Sequence, residues 1–152
     1  MKTSPLITVL AAFVISALSA HAAAPAGWTE DYAKAVEKAK TEKKNILLDF
    51  TGSDWCPYCI QMVKEVLSQP KFKAYAKDNL VLVEVDFPNS KPQSKKIKDQ
   101  NKSLKEKFGA KGFPTFVVVD PEGKELWKSV GYTKGGPDAF IQSISAKTTA
   151  KN

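Results

Sequence analysis

Cys56 and Cys59 are the only thiols in a chain of 152 residues, and they stand two residues apart in Trp55-Cys56-Pro57-Tyr58-Cys59. At that spacing one helical turn brings two sulfurs close enough to join and part with little backbone movement. Reversible dithiol–disulfide exchange is therefore the chemistry the pair first suggests. A structural staple is the weaker reading, because a bridge from residue 56 to residue 59 closes a tiny loop and removes little denatured-state entropy. A tetrahedral metal centre needs four ligands, and the only histidine, His21, lies in an N-terminal segment expected to be removed. Two cysteines alone would hold a metal only between two chains, so no metal or other cofactor is expected. Without a histidine there is no serine–histidine or cysteine–histidine nucleophilic set, and no glycine-rich phosphate loop is present.

The N-terminus opens with Lys2, continues as an apolar run from Leu6 to Leu18 and closes on Ala20-His21-Ala22. A basic start, an apolar core and a small-x-small site form a secretory signal, with cleavage expected after Ala22. An uncleaved anchor is the competing reading, but the run is short for a full membrane span. The expected division is a signal peptide over 1–22, a linker over 23–27, one domain over 28–147 and a frayed tail over 148–152. The expected location is periplasmic or secreted, where a disulfide persists. The formal charge of +7 comes from 23 lysines with no arginine. That argues against nucleic acid, where bidentate arginine contacts dominate specific recognition. Eight lysines fall between Lys91 and Lys111. They read as the solvated face of a helix whose apolar stripe is Ile97, Leu104 and Phe108, with an acidic docking partner as the alternative.

Elements that would position the cysteines follow from periodicity. Trp28 to Lys44 reads as a helix capped by Thr29, with Trp28, Tyr32, Val36 and Ala39 on its apolar face. Ile46 to Thr51 is a near-continuous apolar strand of the kind buried on both faces. Pro57 starts a second helix at the position where its missing N–H costs nothing, and Ile60, Val63, Val66 and Leu67 supply its inner face. Pro70 to Asp78 is a short helix with Phe72 and Tyr75 inward, and Leu80 to Phe87 is a second buried strand, giving a parallel crossover. Ser94 to Phe108 is the lysine-rich helix, stopped by Gly109. Thr115–Val119 and Glu125–Val130 flank the turn residues Asp120-Pro121-Glu122-Gly123 as a hairpin. A closing helix carries Phe140, Ile141 and Ile144. Asn101-Lys102-Ser103 matches a glycosylation sequon, a pattern that often arises by chance.

The order strand, C-x-x-C, helix, strand, helix, Gly112-Phe113-Pro114-Thr115, hairpin and helix resembles the thioredoxin superfamily over residues 28 to 146. Leu48-Asp49-Phe50, Asp54-Trp55-Cys56, Cys59, Lys64 to Val66, Val85-Asp86, Gly112 to Thr115 and Asp120 to Gly123 carry the resemblance. The chain looks most like exported domains related to the C-terminal domain of the thiol:disulfide interchange protein. The resemblance implies an α/β thioredoxin fold, a central mixed sheet of four to five strands with helices on both faces. It further implies a Cys56–Cys59 disulfide, with Cys56 attacking and Cys59, more buried, resolving. A helix start stabilises a thiolate at Cys56. Asp49 would relay the proton of Cys59, although six residues separate it from Cys56, one more than in the simplest thioredoxins. The lysine often paired with that carboxylate aligns with Leu82. Pro114 would be cis, with Phe113, Trp55 and Tyr58 forming the substrate surface. The implied activity is protein-disulfide oxidoreduction by a monomer on client proteins, with a membrane thiol donor as a candidate electron source. The alternative is a redox-inert binding or chaperone module on the same fold. The Pro57-Tyr58 dipeptide, shared with glutaredoxins, leaves the direction of electron flow open.

Overall fold

The computed structural model describes residues 24–148. The signal peptide expected over 1–22, its cleavage point and Ala23 lie outside the described residues. Among the described residues five strands form one mixed sheet in the order β1-β3-β2-β4-β5. These are β1 (Trp28–Thr29), β2 (Asn45–Thr51), β3 (Leu80–Asp86), β4 (Thr115–Val119) and β5 (Glu125–Val130). Strands β1, β3 and β2 are parallel, while β4 and β5 are antiparallel to their neighbours. Helices α1 (Tyr32–Glu42), α2 (Pro57–Met62), α3 (Pro70–Asn79), α4 (Lys95–Lys107) and α5 (Gly136–Thr148) cover both faces. Thr148 closes α5 with its hydroxyl donated to Ile144 O. The remainder of the tail lies outside the described residues.

The β2, β3 and β4 runs are apolar throughout because the sheet divides two cores. On one face Ile46, Leu48 and Phe50 meet Ala35 and Ala39 of α1 and Leu104 of α4, with Phe108 just beyond it. On the other, Leu47, Phe116 and Val118 meet Met62, Val66, Phe72, Phe140 and Ile144. Strand side chains alternate, so Asp49 and Thr51 follow Leu47 onto the second face, and Glu84 and Asp86 follow Leu82. The cysteine helix α2 packs on that face.

Three local expectations are corrected. Trp28 and Thr29 are not helical: they pair with Leu82 and Val83, and Trp28 packs into the second core. The helix starts at Tyr32 because Asp31, whose Oδ1 accepts the Lys34 N–H at 3.2 Å, is the cap. In α2 and the turn that continues it the inner face is Cys59, Met62 and Val66, while Ile60 and Val63 are 50% and 40% exposed. A π-helical turn over Val63–Leu67 widens the spiral and lets Val66 and Leu67 both turn inward. On α4 the buried stripe includes Asn101, whose side-chain amide donates to Asp86 O at 2.9 Å. That burial takes the sequon's acceptor amide, Asn101, out of reach, although Lys102 and Ser103 are exposed.

Candidate active site

Strand β2 ends at Thr51, and Gly52 O then accepts the N–H groups of Trp55 and Cys56 at 3.2 and 2.8 Å. This turn delivers Cys56 to the N-cap of α2 with extended backbone angles, φ −87° and ψ 110°, and Pro57 at the first helical position. The Cys56 Sγ accepts the Cys59 N–H at 3.3 Å, so the sulfur takes the place that a serine or aspartate oxygen fills at other helix starts. The Cα atoms are 5.2 Å apart, and the two sulfurs are joined as a disulfide. Both residues are buried, at 4% and 2% exposure, so burial alone does not separate them. Position does: Cys56 caps the helix from outside, where its free N–H groups and dipole favour a thiolate, and Cys59 lies inside the first turn.

The turn is held from β3 and the loop beyond it. Ser53 donates its N–H and hydroxyl to the two Asp86 oxygens at 2.9 and 2.6 Å, and Lys91 Nζ reaches Ser53 Oγ at 2.8 Å. Asp54 accepts the N–H groups of Asn89 and Ser90 at 3.0 and 2.7 Å, which hold its carboxyl below the ordinary range. Gly52 must be glycine, since a Cβ there would lie 2.4 Å from the Trp55 ring. These contacts fix the segment between Asp49 and Cys56.

The other residues expected from sequence are placed as follows. Trp55 is 42% exposed, and its Nε1–H donates to Phe87 O at 2.8 Å. Tyr58 is 60% exposed. The Phe113–Pro114 bond is cis, Pro114 is buried, and Pro114 O accepts the Gly131 N–H at 2.7 Å. The Phe113 ring meets Trp55 edge-on at 5.7 Å and lies 5.3 Å from Phe87. Lys105 Nζ sits 4.9 Å from the Phe113 centroid and 5.1 Å from that of Phe87. Trp55 and Phe113 are thus brought together, with Phe87 and Lys105 as members that periodicity did not reveal.

Asp49 is buried on the sheet face beneath α2, and its Oδ1 has no hydrogen-bond partner among the described residues, the sulfurs included. It shares the wall of a cavity of about 110 Å³ with Val63, one turn past Cys59, and with Glu84. On β3 the register partner of Asp49 is Glu84, and Leu82 stands opposite Leu47 on the same face. Burial pushes the Asp49 carboxyl well up, and the charges of Glu84 and Asp86 push it further. Burial and Asp86 likewise raise Glu84, to about 7.

Residues 32–146 match the thioredoxin-like domain family. The disulfide bond reductase DsbH of Chlamydia pneumoniae is 41% identical over 125 residues, which are 82% of this chain and 74% of that protein. A solved structure titled DsbH oxidoreductase superposes with a TM-score of 0.77 at 38% identity, covering 86% of this chain and 89% of that one. The thiol:disulfide interchange protein DsbD of Photorhabdus laumondii is 34% identical over 83 residues, 55% of this chain but only 13% of that much longer protein. With its mixed sheet, its cis proline and its C-x-x-C pair at a helix start, the chain belongs to the thioredoxin-like family and is a homologue of the thiol:disulfide interchange proteins.

Proposed function

We propose that this protein is an exported protein-disulfide reductase that works through the Trp55-Cys56-Pro57-Tyr58-Cys59 dithiol. The observation that carries this reading is the Cys56 sulfur at the cap of α2, accepting the Cys59 N–H, in a relative of a disulfide bond reductase. In the reduced protein, Cys56 thiolate attacks a client disulfide. A mixed disulfide forms, and one client sulfur leaves as a thiolate that takes up a proton. Cys59 then loses its proton and attacks the Cys56 sulfur, closing the Cys56–Cys59 disulfide and releasing the second client thiol. Two electrons pass to the client, and a dithiol donor restores the reduced pair. Phe113 and Pro114, with the exposed Trp55 and Tyr58, form the surface against which the client chain lies. Asp49 is the buried group assigned to the proton of Cys59.

Export rests on Lys2, the apolar run Leu6 to Leu18 and Ala20-His21-Ala22. N-terminal sequencing of the exported protein is expected to begin at Ala23, after which residues 23–27 lead into the domain.

A Cys59→Ser variant is expected to accumulate client proteins in mixed disulfides that dithiothreitol releases, while Cys56→Ser forms none. Insulin reduction is lost in both. A Cys59→Ser protein that traps nothing, together with a wild type that does not reduce insulin, would favour a redox-inert binding module. The potential measured against glutathione is expected nearer the thioredoxin end, about −270 mV, than the oxidant end, about −120 mV.

A further inference from the structure

Glu84 is placed by the sheet and used by no step described so far. It is the register partner of Asp49 across β2 and β3, so the two side chains rise from the same face. The cavity of about 110 Å³ that Asp49 borders is also bordered by Glu84. Glu84 lines a second cavity, of about 120 Å³, together with Glu30, Asp86 and Lys91. Each space is large enough for several waters, and each has the polar groups to hold them. Glu84 therefore stands between the buried carboxyl and the loop surface around Pro88 and Pro92.

We propose that Glu84 is a positioning residue for disulfide exchange: it shares protons with Asp49 across the first cavity and exchanges them with solvent through the second. This rests on the assignment of Asp49 to the proton of Cys59. Two carboxyls on neighbouring strands cannot both ionise cheaply, so their protons leave in two coupled steps. Other charged groups face both carboxyls. Asp86 on β3 and Glu30 ahead of α1 disfavour a negative Glu84, and Lys91 in the following loop favours it. Asp86 also acts on Asp49, and Lys73 of α3 stands on the wall of the first cavity. Ionisation of one carboxyl keeps the other protonated, so a charged Glu84 holds the proton on Asp49.

A loaded Asp49 suits the half-reaction that reopens the pair. The donor thiolate attacks the Cys56 sulfur, the Cys56–Cys59 bond breaks, and Cys59 leaves as a thiolate that takes the Asp49 proton. Glu84 returns a proton from solvent to Asp49. The donor becomes the oxidised partner in a mixed disulfide, and its second thiol completes the transfer of two electrons.

The test is a carboxyl ¹³C NMR titration of the oxidised full-length protein, in which neither cysteine titrates. Glu84→Gln is expected to move the Asp49 midpoint to lower pH. The rate at which dithiothreitol opens the disulfide, normalised to its thiolate, is expected to fall off at lower pH than in wild type. An unmoved Asp49 midpoint, or a normalised rate profile that Glu84→Gln leaves in place, overturns the proposal. If Glu84→Gln does not fold, Asp49→Asn serves: one of the two steps disappears and Glu84 still titrates near 7, whereas a Glu84 midpoint at the ordinary glutamate value overturns it. Neither NMR titration needs a client. A coupled carboxyl pair in a protein whose Cys59→Ser variant traps nothing would therefore refute the exchange reading and leave the pair itself standing.

Discussion

Asp49 and Glu84 set a sign for stability against pH. Both carboxyls ionise at higher pH in the folded chain than in the unfolded one, so between those values the folded protein binds more protons. Their contribution is most favourable below about pH 4, where both states are protonated. It is lost as pH rises through about 7 for Glu84 and through the raised range of Asp49. For Glu84 the rise from 4.5 to about 7 sets an upper limit of about 3 kcal/mol, which its partial exposure reduces to about 1 kcal/mol. Glu84→Gln is thus expected to raise the melting temperature at pH 8, with the gain vanishing below pH 4; calorimetry across that range checks it. Cys56 and Cys59 were legible from spacing alone. Glu84 was not, because a single charged residue in an apolar run gives no hint of its neighbour until the register is known.

At the scale of elements, the turn between β2 and α2 is the part most exposed to a single change. Gly52→Ala would drive a methyl into the Trp55 ring and expel the indole from its bond to Phe87 O. A loss of about 1–3 kcal/mol and a red-shifted Trp55 emission are expected, read by urea unfolding and fluorescence. Asn101→Ala removes a buried amide from the Asp86 carbonyl, a loss of about 1–3 kcal/mol in the same measurement. The hairpin β4–β5 was readable because Asp120-Pro121-Glu122-Gly123 carries its own turn chemistry: Gly123 sits at φ 84° and donates its N–H to Asp120 O. Helix α4 was readable from Ser94 to Phe108 for a similar reason, as the Ser94 hydroxyl caps it. The start of α1 and the inner face of α2 were not. Trp28 is drawn to a distant strand, and the π turn breaks the 3.6-residue period that sequence reasoning assumes.

Among the described residues, the whole molecule is two cores on one sheet. The second holds the packed rings of Phe72, Phe116, Trp127 and Phe140, with Phe140 touching the other three at 4.9 to 5.8 Å. Phe140→Ala is expected to cost about 3–5 kcal/mol, measured by chemical denaturation. Neither core is visible as such in the sequence, since β2 reads as one apolar run and only the pleat assigns Leu47 and Leu48 to opposite sides. The three tryptophans divide unevenly across this plan. Trp28 and Trp127 pack against the second core, while Trp55 directly precedes Cys56. A disulfide quenches a neighbouring indole, so the emission of Trp55 is expected to brighten when dithiothreitol reduces the pair, and that of the other two to follow unfolding, as fluorescence titrations would read. The protein carries two optical channels without a label, one for its electrons and one for its fold.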